Sequence, residues 1–260
     1  MNYLKFSVVT GALIAVMMGM SGAAMAGSDE EQLARIKDAD QWPLPGRDFE
    51  LTRHSALADI TTGNVNKLQM IWLQGTNALR GHEGQPLVIK DVGGKTMLFM
   101  VSGCPAMSNC NVVQALDLTD PDNPKQVWNY VKKTDRDESA VPRACCDTVN
   151  RGGSYADGKF VYGTLDGFVI ALDGQTGQEV WVVKHAWPEK GETITPAPLI
   201  ADDKVIIGFG GDEFAARGRV TAYSLADGSK VWECHSTGSD ADVCLTPDTN
   251  KANPQFGQAG

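Results

Sequence analysis

Histidine is scarce in this sequence, four in 260 residues. His54, His82, His185 and His235 stand in no H-E-x-x-H or paired-ligand spacing that would gather a metal. No G-x-S-x-G elbow and no P-loop occurs, which removes the motif-borne forms of serine hydrolysis and nucleotide hydrolysis. There is no Cys-x-x-Cys-His haem-attachment site, and the six cysteines, Cys104, Cys110, Cys145, Cys146, Cys234 and Cys244, lack the paired knuckles of a tetrahedral zinc site. Basic residues are the minority, 23 against 32 acidic, for a net charge of −9. Nucleic-acid binders carry a basic footprint. Here the densest basic cluster, Lys132 and Lys133 with Arg136, is interleaved with Asp135, Asp137 and Glu138 and reads as a solvated loop, so no nucleic-acid partner is expected.

One long apolar run is present, at the start. Lys5 is followed by a charge-free stretch, Phe6 to Ala26, that closes in Ala24-Met25-Ala26 before the acidic Gly27-Ser28-Asp29-Glu30. A basic start, an apolar middle and an Ala-x-Ala end make residues 1–26 a cleaved secretory signal, with an uncleaved anchor helix as the alternative. Its loss leaves 22 basic against 32 acidic residues in a mature chain expected in the periplasm. In that compartment cysteines oxidise. Closeness in sequence favours Cys104 with Cys110 and Cys234 with Cys244, leaving the adjacent Cys145 and Cys146 to be explained.

A repeat organises the rest. Val113–Thr119 leads through a Pro/Asn turn to Val127-Trp128; Phe168–Trp181 repeats the layout compactly, and Arg219–Trp232 repeats it again. Trp72 is read as a fourth echo, so the tryptophans step by 56, 53 and 51 residues. Within each unit an apolar run, an Asp/Gly-type turn and a second apolar run ending in Trp spell a hairpin. Met97–Val101, Lys159–Tyr162 and Lys204–Gly208 supply further strands. Four short strands per period of about 50 residues is the arithmetic of a β-propeller blade, whereas a two-sheet sandwich does not repeat a motif at fixed spacing. The expected class is all-β, a partial propeller. A signal over 1–26 and a helical or extended segment over 27–62, with helix from Glu30 to Asp40, precede an incomplete propeller over 63–260. About four blades are fewer than most propellers use, and the chain runs out in the polar stretch Lys251–Gly260. The expectation is the N-terminal portion of a longer protein, or a truncated product.

The motif A-x-D-x-x-T-G-x-x-x-W, cleanest from Ala171 to Trp181, resembles the tryptophan-docking repeat of the pyrroloquinoline quinone (PQQ) dependent alcohol dehydrogenases. Four further segments resemble that family in order and spacing: Gly81–Pro86, Cys145–Gly152, Gly191–Pro198 and Gly208–Gly218. The similarity runs from about Trp42 to the last residue and is closest to the methanol and ethanol dehydrogenase branch. It implies about half of an eight-bladed propeller that holds PQQ and one Ca²⁺ or lanthanide ion on its axis. The activity implied is oxidation of a small primary alcohol to the aldehyde, with electrons passed to a soluble cytochrome c. A homodimer or a small-subunit partner is compatible with the resemblance. A non-catalytic PQQ-like propeller scaffold, or a truncated inactive copy, is the competing reading.

Residue by residue, the resemblance makes Glu213 the metal-ligating glutamate. The chemistry agrees, since a carboxylate following Gly210-Gly211 can approach a hard cation that takes oxygen ligands, although an acid in such a loop is equally an exposed turn residue. Cys145 and Cys146 resemble a vicinal disulfide lying against the quinone ring. The alternative is that they point to opposite faces of a strand and pair elsewhere. PQQ carries three carboxylates, which Arg151 and Thr195 would meet as donors. Glu83 falls among the cofactor contacts and is read as half of a clamp with Arg151. Gly210, Gly211 and Asp212 would offer backbone groups. No catalytic residue is assigned: the resemblance puts the aspartate base, the stacking tryptophan and the remaining metal ligands beyond Gly260.

Overall fold

A computed structural model describes residues 27–76, 78, 81–103, 111–132, 137–144 and 147–245. Its order is one helix, α1 (Ser28–Lys37), then twelve strands: β1 (Leu87–Val92), β2 (Lys95–Gly103), β3 (Asn111–Asp117), β4 (Lys125–Val131), β5 (Gly153–Ala156), β6 (Lys159–Gly163), β7 (Phe168–Asp173), β8 (Glu179–Lys184), β9 (Leu199–Ala201), β10 (Lys204–Gly208), β11 (Arg219–Ser224) and β12 (Lys230–His235). They form three antiparallel four-stranded sheets, each a meander in chain order. These are propeller blades, three among the described residues.

Local chemistry repeats with the topology. The first hairpin of every blade is a two-residue turn: Gly93-Gly94, Asp157-Gly158 and Asp202-Asp203, all six at positive φ. That is the mirror-image turn whose twist matches paired strands, and Gly and Asp are the residues that tolerate it. In the third and fourth strands a small residue faces each tryptophan: Ala115 opposite Trp128, Ala171 opposite Trp181, Ala222 opposite Trp232. The pairing slips by one residue just beyond each of these pairs, leaving the exposed Val127, Val180 or Val231 as the bulge residue.

Because blades stack face to face, a middle strand loses the alternation of a one-sided sheet. Val169, Ile170, Ala171 and Leu172 of β7 are all fully buried. One core lies between the first two blades around Phe99, Trp128, Phe160, Tyr162 and Ile170, and a second lies between the next two around Val161, Trp181, Ile194, Ile200 and Val205. The tryptophans tie the stack. Trp128 Nε1 donates to the carbonyl of Gly174 at 3.1 Å and Trp181 Nε1 to that of Leu225 at 3.0 Å, each in the next blade.

Two sequence expectations change. Trp72 has no blade of its own: residues 68–73 lie outside any strand, and Leu68, Met70, Ile71 and Leu73 are exposed. The helix sits two to three residues earlier than read, with Asp29, Glu30 and Glu31 in its first turn and Arg35 and Lys37 in its last, the order that complements the helix dipole. The Cys234–Cys244 pairing is present as a disulfide. Cys104 and Cys110 lie outside the described residues. Among those described, no helix is long and apolar enough to cross a membrane.

Candidate functional site

A four-stranded meander sends its first and third turns to one end and its central connection to the other, so the long links β4–β5, β8–β9 and β10–β11 share an end. The expected site residues sit on these links or on the segment that enters the first blade. Glu83 lies four residues before β1, Arg151 two before β5 and Thr195 four before β9. Three consecutive blades thus present one side chain each from the same place in the repeat.

Arg151 connects them. Its Nη2 lies 3.2 Å from Glu83 Oε2, and its Nη1 donates to Thr195 Oγ1 at 2.7 Å. The backbone makes the same crossing: Arg151 N–H donates to the Thr195 carbonyl at 3.0 Å, while the Arg151 carbonyl accepts from Gln85 N–H at 3.4 Å. Gly152 is at φ +105°, and a Cβ there would stand 2.9 Å from the Gln85 carbonyl oxygen, so the approach of the first two blades requires glycine. The Glu83–Arg151 pair is open to solvent, with each side chain 44% exposed. Ion pairs of that kind contribute about 0–1 kcal/mol.

The β10–β11 link closes on the same end. Thr193 and Gly210 exchange two backbone hydrogen bonds, of 3.0 and 2.9 Å. Gly211, at φ +145°, lies so close to Gly191 that a Cβ would come within 2.3 Å of the Gly191 oxygen. Beyond it Asp212–Phe214 make one 3-10 turn that carries Asp212 and Glu213 out to solvent. A cleft of about 520 Å³ opens there, lined by Arg143, Ala144, Thr193, Thr195, Gly210, Asp212, Glu213 and Phe214. Small-molecule sites commonly occupy roughly 300–1,000 Å³.

The fold therefore brings Glu83, Arg151 and Thr195 into one chain of contacts and gathers Thr195, Gly210, Asp212 and Glu213 around one cleft, with Gly211 packed on the Gly191 backbone between Gly210 and Asp212. Cys145 and Cys146 lie outside the described residues, next in sequence to the cleft-lining Ala144. Among the described residues no three His, Cys, Asp or Glu side chains converge on a common point, so Glu213 offers its carboxylate singly.

Sequence reading missed four lining residues, among them Ala144, which directly precedes the Cys145–Gly152 segment. Thr193 is two residues from Thr195 in the same extended segment, the spacing that repeats a direction along a strand. Arg143, whose Nη1 donates to the Pro188 carbonyl at 3.1 Å, and Phe214 carried no such signal.

Sequence reading also missed a buried polar cluster behind the cleft. Arg219 makes a two-point pair with Glu192, at 3.0 and 3.1 Å, both side chains 8% exposed. The guanidinium also donates to the His185 carbonyl and lies 4.3 Å from the Phe209 ring centroid and 5.2 Å from that of Trp187. Glu192 further accepts from Trp187 N–H at 3.0 Å. The pair pins residues 187–192, the lead-in to Thr193 and Thr195. Beside it His185 Nδ1 lies 3.1 Å from the Tyr223 hydroxyl, and burial, reinforced by the Arg219 charge, holds its pKa down to about 4.

Comparison with known proteins gives this arrangement relatives. The family described as glucose/ethanol/alcohol dehydrogenase, beta-propeller domain, with the heading PQQ, matches residues 42–258. The lanthanide-dependent methanol dehydrogenase of Methylacidiphilum fumariolicum (strain SolV) is 43% identical over 258 residues, covering 98% of this chain and 40% of that protein. Methanol dehydrogenase (cytochrome c) subunit 1 of Methylorubrum extorquens is 37% identical over 261 residues, 97% of this chain and 40% of that protein. Among solved structures, a europium-containing methanol dehydrogenase superposes with a TM-score of 0.79 at 44% identity, covering 88% of this chain and 37% of that one. The chain spans about two fifths of the length of these relatives.

Proposed function

The chain belongs to the PQQ glucose/ethanol/alcohol dehydrogenase family of β-propellers, and from that membership we propose that its Glu83–Arg151–Thr195 contacts and its Glu213 form one side of a quinone pocket in an exported oxidoreductase of small primary alcohols. The observation that carries the reading is Arg151, held by a carboxylate of one neighbouring blade and a hydroxyl of the other.

The donor set fits such a guest. Arg143 and Arg151 answer carboxylates with guanidinium forks, and Thr193 and Thr195 add hydroxyls. A Cβ built on Gly210 would meet nothing nearer than 4.0 Å, which leaves backbone open to a flat ring. When bound, the quinone supplies the two-electron acceptor and a hard cation, Ca²⁺ or a lanthanide, the Lewis acid.

The chain's own part is positioning. Glu83 and Thr195 fix the guanidinium of Arg151 before any guest arrives, so little side-chain freedom is lost on binding. Glu213 presents oxygen ligands from a turn whose Gly211 admits no side chain. We assign the proton acceptor and the remaining metal ligands to blades outside residues 27–245, a soluble cytochrome c to the electrons, and the periplasm to the mature protein because of its Ala-x-Ala leader.

The test is equilibrium dialysis of PQQ against residues 27–260 with Ca²⁺ or La³⁺, beside dye-linked methanol oxidation. Weak, metal-dependent binding is expected, reduced about tenfold or more by Arg151→Ala and by Glu213→Gln, in line with about 1.5–3 kcal/mol for a charge-assisted bond. These residues alone should not turn methanol over. Binding indifferent to both substitutions and to the metal would refute the pocket.

A further inference from the structure

The end of the molecule opposite the cleft holds a second cavity, of about 470 Å³, that the quinone reading does not use. Helix α1 supplies Glu31 and Arg35 to its wall, the first blade supplies Asp91, and the second blade supplies Tyr155, Asp157 and Asp173. Tyr155 is the unexplained group among them. It is 3% exposed, with its ring stacked on Phe99 at 5.5 Å and covered by the Arg35 guanidinium at 5.5 Å. Its hydroxyl makes no hydrogen bond among the described residues. Burial pushes the pKa of that hydroxyl up to about 12, with the Arg35 charge opposing and Glu31, Asp173 and Asp157 adding to it. The groups that act on the hydroxyl are thus those of the cavity wall, and it faces the cavity as a neutral donor and acceptor. An enclosed hydroxyl without a partner costs free energy that a bound group would recover.

The sign of the charge around it selects the guest. Four carboxylates line the cavity against one guanidinium. Two are already engaged: Glu31 Oε1 lies 2.9 Å from Arg35 Nε, Glu31 Oε2 accepts from Asp157 N–H at 2.7 Å, and Asp157 is paired with Lys159. Asp173 uses Oδ1 within its own turn, accepting from the Gln175 and Thr176 N–H groups, and leaves Oδ2 open. Asp91 has neither a hydrogen bond nor an ion pair among the described residues. The open acceptors are therefore Asp91, Asp173 Oδ2 and the Tyr155 hydroxyl, divided between two blades. A hard metal ion needs converging oxygens. Among the described residues no three His, Cys, Asp or Glu side chains provide them.

We propose that this cavity binds a small aliphatic diamine, with one ammonium at Asp91 of the first blade and the other at Asp173 and the Tyr155 hydroxyl of the second. An ammonium donates and never accepts, which suits a carboxylate oxygen beside a hydroxyl lone pair. A methylene chain between two ammoniums joins acids that a single ion cannot reach together. The cavity volume is that of a small-molecule site. Occupancy neutralises the carboxylate excess, gives the Tyr155 hydroxyl its partner and bridges the first two blades beside α1.

The experiment titrates the whole purified chain with 1,4-diaminobutane by calorimetry at low salt, with butylamine, 1,4-butanediol and Ca²⁺ in parallel. The diamine should bind at least about tenfold more tightly than butylamine, and neither the diol nor Ca²⁺ should displace it. Tyr155→Phe deletes only the hydroxyl. Affinity should then fall about tenfold, the scale of a lost bond to a charged group, while the melting temperature holds or rises. Asp91→Asn should weaken binding by a similar factor, whereas Asp122→Asn, at an exposed acid of the same end outside the cavity, should leave it unchanged. No binding heat at millimolar diamine, equal affinity for butylamine, or displacement by Ca²⁺ would overturn the proposal. So would equal losses in Asp91→Asn and Asp122→Asn, or parental affinity in Tyr155→Phe. PQQ binding and methanol oxidation play no part in any readout.

Discussion

Trp181 of the second blade lies directly on Gly228 of the third: a Cβ built on Gly228 would fall 2.8 Å from Trp181 Cε3, and the indole nitrogen reaches the Leu225 carbonyl three residues earlier. Gly228 is at φ +73°, nearly the same as Gly158 at +71°, whose Cβ position is empty. The two glycines separate backbone strain from contact. Gly158→Ala should cost only the left-handed penalty, about 1–2 kcal/mol. Gly228→Ala should add an overpacking cost of about 1–3 kcal/mol. Urea unfolding of both variants measures the difference, and equal losses would remove Trp181 from the account of blade stacking.

Two arginines make a second contrast. Arg219 is paired with Glu192 in the interior, Arg151 with Glu83 in solvent. Breaking the interior pair leaves the buried Arg219 guanidinium with only the more distant Glu233 carboxylate at 3.6 Å, and Glu192→Gln should lower stability by about 3 kcal/mol, the lower end for a broken buried pair. Arg151→Ala should change it by about 1 kcal/mol or less. Denaturant midpoints at constant m-value decide this. A large loss at Arg151 would make that residue part of the scaffold rather than of the pocket.

The disulfide offers a third measurement. Cys234 and Cys244, ten residues apart, tie β12 to the loop that follows it. Closing a loop of that size is worth roughly 2–3 kcal/mol in the chain-entropy description. Cys234→Ser with Cys244→Ser should lower the unfolding free energy by about that amount and speed amide exchange over residues 236–245. Unchanged exchange there would mean that Arg217, which contacts both the Thr237 carbonyl and Asp242, holds the loop by itself.

Much of this was legible because the repeat constrains it. Asp-Gly-type turns, a small residue opposite each tryptophan and motifs just ahead of each blade's first strand are all local signals. Trp72 misled because a strand-like run is a strand only with a neighbour to pair with, and Leu68–Leu73 has none among the described residues. Arg219 and Glu192 were silent for the opposite reason: each reads as a surface charge, and only the β8–β9 link folded back onto β11 makes them a buried pair. His185 likewise shows nothing in sequence that foretells enclosure by Phe209 and Tyr223.

His185 gives the pH dependence its sign. Its folded pKa is about 4, below the ordinary 6.5, because burial and then the Arg219 charge oppose protonation. Between those two values the unfolded chain binds a proton that the folded chain does not, so stability falls as pH drops from about 6.5 toward 4 and is fully present above that window. A pKa displaced that far corresponds to a loss on the order of 3 kcal/mol across the window. Carboxylates held below their ordinary range, Asp38, Asp203 and Asp242 among them, give up their contribution only lower, as pH falls below about 4. His185→Gln should therefore flatten the stability profile between pH 6.5 and 4 while leaving the acid limb below it in place. Urea midpoints at pH 7, 5.5 and 4.5 test this, and a slope that persists in the variant would assign the proton uptake to another group.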